Sequence, residues 1–391
     1  MATRPFDTVG GYLITSFGGE TVRAYIPKAL PPTPQISPVG MHSLLDVANQ
    51  AVGRLDGLTN LLPDLGLFLY FYVRKEAVLS SQIEGTQSSI SELLMFEHED
   101  IPGALLRDVT EVSNYVACMN HGLTRMRDEF PLSLRLIREM HSILLSKGRG
   151  SEKQPGEFRR SQNWIGGTRP GNALFVPPPP EKVMELMGAL ELFIHNDQPD
   201  LPLLLKIAMI HLQFETIHPF LDGNGRIGRV LIPLLLCANK VLREPILYMS
   251  LYFKQHRSTY YELLDRVRQT GDWEIWGEFF LEGVRQTAND SALMAHQILA
   301  LFAQDKKVIE GLRRPAASAM LVYQYMQRNP IVSIPTIAGK MEISEPTVAK
   351  SIGHLQKLGI LKETTGKQRR RIFVYDKYLE ILNRGTEVEK Q

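Results

Sequence analysis

The chain has 391 residues, of which 44% are hydrophobic and 22% charged, with a formal net charge of +2. That length suits two or three domains with a sizeable core, and the composition excludes global disorder. No apolar run spans a bilayer, since Val230 to Val241 is short and broken by Pro233 and Asn239, and residues 1–17 hold no signal-peptide core, so a soluble, cytoplasmic chain without membrane contact is expected. The two cysteines, Cys118 and Cys237, lie in apolar helical patterns without metal-ligand spacing. They read as buried reduced thiols, with a disulfide as the alternative. Charge is uneven: from Arg313 onward there are 14 Lys/Arg against 7 Asp/Glu, leaving the preceding residues at 30 against 35. A basic tail on a slightly acidic body suggests a separate module that meets something anionic.

Taken in chain order, the first forty residues are rich in Pro and Gly, including Pro31-Pro32-Thr33-Pro34, and read as an extended arm. Helical periodicity runs from Ser43 to about Phe96, then through Leu105–Asp128 and Leu132–Leu145. Trp164 to Val176 breaks that regime with short β-prone runs around Gly, Pro and Asn, closed by Pro177 to Pro180. It reads as a β-hairpin or flap followed by a rigid stretch. Helices resume over Val183–Asn196, Leu203–Ile217 and Val230–Leu242 and continue through Leu312. Beyond, Ala316–Gln327, Ile334–Met341 and Ser344–Leu358 form three helical segments, with Ser344 as N-cap and Gly359 as stop. Strands at Ile360–Glu363 and Arg371–Tyr375 follow, the layout of a winged helix-turn-helix.

The most informative stretch is His218-Pro-Phe-Leu-Asp-Gly-Asn-Gly-Arg-Ile-Gly-Arg229. Gly223, Gly225 and Gly228 precede or open an apolar helix, so backbone N–H groups and the helix N-terminus can form an anion nest. Arg226 and Arg229 stand three apart on its first turn and can lean toward one anion. Asp222 at the loop's edge suits Mg²⁺ beside phosphates. His218 supplies an imidazole that is neutral near pH 7 and can accept a hydroxyl proton. A glycine-rich helix start with surface arginines and a structural histidine would leave that combination unexplained.

These twelve residues match His-Pro-Phe-x-Asp/Glu-Gly-Asn-Gly-Arg-x-x-Arg, and the chain thereby resembles the Fic family of protein adenylyltransferases. Phe214-Glu215-Thr216-Ile217 and Pro155-Gly156-Glu157-Phe158-Arg159 strengthen the likeness. The resemblance implies a mainly α fold: a Fic helical bundle with a β-hairpin flap and a C-terminal winged helix-turn-helix. It divides the chain into an N-terminal arm and helical region (1–105), a catalytic domain (106–312) and a winged helix (313–391). It implies AMP transfer from ATP to a Thr, Ser or Tyr hydroxyl of a protein, with His218 as base and Asp222 holding Mg²⁺. Asn224 and the loop amides of Gly223 to Gly228, Ile227 included, would grip the α- and β-phosphates, and Arg226 and Arg229 the outer ones. Gly225 stands where kinase-like members carry Lys, which favours AMP transfer over phosphorylation. Tyr260 and Tyr261 resemble the aromatic pair near the nucleotide in relatives, with helix packing as the alternative. His141 and His211 read as structural residues. The flap resembles an edge that aligns a target's extended segment, an ordinary hairpin being equally compatible with the residues.

Upstream, Ser80-Ser-Gln-Ile-Glu84-Gly85 resembles the family's inhibitory motif, Ser/Thr-x-x-x-Glu-Gly/Asn. Ser80 and Glu84 share a helical face and Gly85 can end the helix. The resemblance implies that Glu84 reaches the nucleotide site and pairs with Arg229, leaving ATP unproductively bound. In Ser344–Leu358, Val348, Ile352, Leu355 and Leu358 form a core stripe, while Thr347, Lys350, Ser351, His354 and Lys357 point elsewhere. With Lys367, Arg369, Arg370 and Arg371 in the wing, this module fits duplex DNA or, alternatively, a protein partner or a homodimer contact. Two functions follow: an adenylyltransferase restrained by Glu84, or a nucleotide-sensing DNA-binding regulator without turnover. The intact His218 favours the enzyme.

Overall fold

Why the chain folds as it does is clearest at its centre, where two strongly apolar segments become buried helices that also bury several polar side chains. The structure, a computed structural model, describes residues 10–60, 64–96, 106–196, 200–366 and 371–387. Among these, α7 (Leu203–Ile217) is buried at all but its first position, including the polar side chains of Lys206, His211, Gln213, Glu215 and Thr216. The helix α2 (Leu65–Ile83) is buried over most of its length. Its start is set by Asp64, whose Oδ1 accepts from Leu67 N at 3.0 Å. Its end is set by Gly85 at φ 100°, with Gly85 N bonded to Gln82 O and Thr86 N to Ser81 O.

Around them pack α1 (His42–Leu58), α3 (Ile90–Phe96), α4 (Leu106–Arg127), α5 (Leu134–Leu144), α6 (Pro180–His195), α8 (Asn224–Ala238), α9 (Ser250–Gln255) and α10 (Arg257–Thr270). The helix α11 (Trp273–Glu310) runs 38 residues and packs along α1, α7, α9 and α10. The C-terminal elements are α12 (Ala316–Arg328), β3 (Ile331–Ser333), α13 (Ile334–Met341), α14 (Glu345–Lys357), β4 (Lys362–Glu363), β5 (Ile372–Val374) and α15 (Asp376–Asn383), of which α12 and α15 pack on α11. The strands form an antiparallel sheet in the order β3-β5-β4. The fold is thus mainly α, and no described helix is long and apolar enough to cross a membrane.

Three expectations need correction. The N-terminal arm is a hairpin of β1 (Gly10–Phe17) and β2 (Glu20–Pro27), with Phe17 opposite Glu20. Gly18 and Gly19, at φ 59° and 83°, supply the two positive-φ positions a tight hairpin turn needs. The flap is less regular than a hairpin. Its own pairing is the isolated bridge Ile165↔Phe175, and its return strand instead leans on β2 through Tyr25 N to Val176 O at 2.9 Å. On α14, Val348, Ile352 and Leu355 are buried as expected, but so is Ser351. The adjacent apolar positions turn it inward, and its Oγ makes no hydrogen bond. Both cysteines are free thiols, Cys118 buried and Cys237 half-buried. Lys367, Arg369 and Arg370 lie outside the described residues.

Candidate active site

The loop between α7 and α8 holds most of the expected site residues, and its shape starts at His218. This residue caps α7 in the left-handed conformation, φ 51° and ψ 60°, a region non-glycine residues adopt only when neighbours impose it. Arg159 does so: it is 2% exposed and donates from Nε to His218 O at 2.9 Å and from Nη2 to Ile217 O at 3.4 Å. Burial, with Arg159 and Arg268 close by, lowers the His218 pKa to about 3, the Glu215 carbonyl partly offsetting this. The imidazole is therefore neutral at physiological pH, as a proton acceptor must be.

Past His218 the chain turns back through Gly223, which caps α8 at φ 78°. Asn224 braces this turn: its Oδ1 accepts from Phe220 N and its Nδ2 donates to Phe220 O, both at 2.8 Å. The side chain expected to grip phosphate is thus committed to the loop itself. Ile227 is fully buried and acts in packing. At Gly228 a Cβ would come within 2.3 Å of Glu215 Oε1, so any side chain there would have to displace that carboxylate. At Gly225 a Cβ would come within 2.4 Å of Glu84 Oε1, so the Glu84 carboxylate sits directly against the loop.

Arg229 is 1% exposed and fully engaged by α2. It donates from Nε to Ser80 Oγ at 2.8 Å, and from Nη2 to Ser80 O at 3.1 Å and Glu84 Oε1 at 2.7 Å. Burial alone would raise the Glu84 carboxyl, but the Arg229 charge overrides it and holds the group below its ordinary value. Gly85 then turns the chain away. The expected trio Ser80, Glu84 and Gly85 is therefore brought to the loop.

Arg226 points the other way, donating to Glu111 Oε2 at 3.2 Å and Asp222 Oδ1 at 3.4 Å. Glu111, on α4, carries no signal in the sequence. Asp222 stands at the loop's mouth, its side chain 24% exposed. Among the described residues no group of three or more His, Cys, Asp or Glu could hold a metal. A Mg²⁺ ion held mainly by phosphate oxygens and water needs only one or two carboxylates, and a single aspartate beside an anion nest fits that donor set.

His141 shapes this edge. Gly156 N donates to its Nδ1 at 2.8 Å, so the proton is on Nε2, which donates to Asp222 O at 3.0 Å. The ring stacks on Phe220 with centroids 3.7 Å apart, and burial lowers its pKa to about 4. His211 bridges Gly228 O at 2.9 Å and the Tyr260 hydroxyl at 3.0 Å. Tyr260 is 1% exposed and packs on Phe253, whereas Tyr261 is 41% exposed. Of that pair, only Tyr261 faces solvent. Arg268 donates to Thr216 Oγ1 at 3.2 Å and lies over the Phe175 ring at 3.8 Å, tying α10 to the α7 terminus and the flap.

Fold and site together describe a helical protein whose glycine-rich loop between α7 and α8 is met by a glutamate from the end of α2. Residues 42–124 match the Fic/DOC family N-terminal domain, and residues 131–236 the Fic/DOC family domain. Residues 42–124 and 131–236 are thus similar to the two domains of the Fic/DOC family. It is 30% identical over 209 residues to protein adenylyltransferase Fic of Aedes aegypti, covering 52% of this chain and 39% of that protein. Against the Culex quinquefasciatus protein of the same name it is 28% identical over 209 residues, again 52% and 39%. The chain thus spans well under two thirds of these relatives. Among solved structures, it resembles a Fic family protein from Desulfovibrio desulfuricans G20, with TM-score 0.57 and 19% identity over 87% of this chain and 97% of that one. A Fic domain-containing signaling protein from Bacteroides thetaiotaomicron is similar with TM-score 0.52 and 20% identity, over 64% and 95%. At such identities these likenesses speak to the fold.

Proposed function

We propose that the chain transfers AMP from ATP to a hydroxyl of a protein Thr, Ser or Tyr, itself included, and that Glu84 holds this activity in check. The observation that carries the reading is the Arg229–Glu84 contact at 2.7 Å: the guanidinium that closes the anion nest is occupied by a carboxylate. The relatives' name, protein adenylyltransferase, supports the same chemistry.

In this reading His218 takes the proton of the attacking hydroxyl as its oxygen bonds to the α-phosphorus. The bond from that phosphorus to the bridging oxygen breaks, and pyrophosphate leaves. The low His218 pKa reflects burial first and two nearby guanidinium groups second; an arriving triphosphate offsets that positive charge and makes the ring more basic. The loop amides and Arg229 neutralise charge on the phosphate oxygens, where positioning and electrostatics supply most of the catalysis. Asp222 would hold Mg²⁺, which supplies charge neutralisation at the phosphates. Tyr261, the exposed member of its pair, would meet the base or ribose. Residues 1–105, 106–312 and 313–391 serve as inhibitory region, catalytic domain and winged helix.

The test is incorporation of labelled AMP by wild type, Glu84→Gly and His218→Ala proteins, followed by mass spectrometry of modified peptides. The reading expects strong incorporation only with Glu84→Gly, and its absence there would falsify it. A DNA partner for the C-terminal segment is favoured by one observation: Thr347, Lys350 and Lys357 are exposed on α14. Duplex binding that weakens with salt would support it, and no affinity at low salt would remove it.

A further inference from the structure

The inhibitory turn of α2 is held from behind as well as from the loop side. Gln82, two residues before Glu84, donates from Nε2 to Thr386 O and to Ser88 O, both at 2.9 Å. Its single amide thus ties the α2–α3 turn to the chain segment that follows α15. That segment is fixed along its length. Lys254 Nζ, from α9, donates to Gly385 O at 3.3 Å and Glu387 O at 2.8 Å. Asn383 Nδ2 donates to Ser91 Oγ at 2.8 Å, and Arg384 Nη1 to Gln297 Oε1 at 2.8 Å. Thr386 is fully buried. Gly385 takes φ 79°, and a Cβ there would meet Leu251 at 2.6 Å. One turn earlier, Tyr378 of α15 packs edge-on against Phe71 of α2, with centroids 5.3 Å apart.

Helix ends fray first, because their terminal backbone groups lack intrahelical partners. The turn bearing Glu84 is such an end, and it keeps its aim only if something stops it fraying. Three consecutive main-chain carbonyls of the C-terminal segment, at Gly385, Thr386 and Glu387, accept from side chains of α2 and α9. We propose that residues 383–387 form a latch that holds the last turn of α2 in register with Arg229, so that the C-terminal module controls whether Glu84 occupies the nest. The regulation rests on Glu84 being inhibitory; the mechanical coupling does not. Any event that pulls α15 from α2 loosens Gln82 first and Glu84 two residues later. The two ends of the chain are thereby one switch.

The test uses three proteins: the full chain, the chain cut after Asn383, and a full-length Gln82→Leu, Lys254→Met variant that keeps the segment but removes its donors. Amide hydrogen exchange over residues 81–90 reads the latch directly. Both altered proteins are expected to exchange there about tenfold faster, a coupling of ordinary size, with an unchanged melting transition. Labelled-AMP incorporation reads the consequence: it rises in both, and does not rise further when either change is added to Glu84→Gly. Unchanged exchange over 81–90 overturns the latch whatever the enzyme does. Faster exchange without added incorporation, while Glu84→Gly is active, overturns its regulatory role. Should Glu84→Gly itself be inactive, the transfer reading fails, and the exchange data still decide the latch. If the shortened chain does not fold, the point variant decides alone.

Discussion

Arg229 and Glu84 meet at 2.7 Å across 145 positions of sequence, and Ser80, one turn before Glu84, takes the same guanidinium at 2.8 Å. A buried arginine satisfied by one helix of its own chain cannot at the same time give those donors to a phosphate. Removing Glu84 therefore has two opposite effects. Without nucleotide, Glu84→Gly leaves Arg229 buried and short of a counter-ion, at a cost on the order of 1–3 kcal/mol given Glu84's partial exposure. With ATP present, the triphosphate replaces the carboxylate. Thermal melting should show a lower Tm than wild type in the apo variant and a larger upward shift on adding ATP. Equal ATP shifts in the two proteins would contradict competition.

Ser80 offers a graded version. Ser80→Ala removes the partner of Arg229 Nε while keeping Glu84, and an unsatisfied buried charged donor costs about 1–3 kcal/mol. Urea denaturation should report that loss. AMP incorporation is expected to rise, but less than with Glu84→Gly.

His218→Ala should separate chemistry from binding. General-base loss lowers transfer by roughly 10²–10⁴-fold, and because no phosphate ligand is removed, the affinity for ATP should be retained. A variant that loses both would assign His218 to binding.

His141 lies outside the reacting groups, yet it holds Asp222 O and Gly156 N. His141→Phe keeps the stack on Phe220 and orphans both backbone groups. In the Glu84→Gly background, transfer should fall, with a higher requirement for Mg²⁺ as Asp222 loses its support. A change in stability alone, with the Mg²⁺ requirement unaltered, would confine His141 to packing.

Acid should act in two stages. Burial lowers His141 to about 4, and His211 and His218 to about 3, so the unfolded chain takes up their protons first, from about pH 6.5 downward. Their contribution is present above that pH and is lost as pH falls. Burial also raises Glu76 and Glu215 to about 7, and these bind protons in the folded state, opposing the loss down to about pH 4.5. Three against two leaves a net of about one proton, or ~1.4 kcal/mol per pH unit, between pH 6.5 and 5. Below 4.5 the opposition ends and the slope steepens. Urea midpoints measured across pH would show this, and stability that rises on acidification from 6.5 to 4 would refute it.

Much of the fold was legible because helical periodicity survives in α2, α4, α7 and α12 to α14, whose boundaries follow caps such as Asp64 and Gly85. The N-terminal hairpin was not. Gly18-Gly19 is a turn signal and β2 alternates over Thr21 to Ala24, but β1 exposes consecutive residues on both faces, Ile14 at 70% among them, so it shows no period-two alternation.

The sequence by itself determined the local chemistry: a base, a carboxylate, glycines and two arginines placed by adjacency at one helix start, and a Ser80–Glu84 pair on one helical face. Adjacency sets these because loop and helix geometry act over a few residues. The Arg229–Glu84 pair was implied by the family resemblance and is found; only the tertiary structure gave Arg226 to Glu111 and turned Asn224 back onto its own loop. It also decided that Tyr260 is buried beside His211 and that Thr386 lies against Gln82. Those pairings depend on how buried polar groups between distant helices satisfy one another, a constraint that no short window of sequence contains.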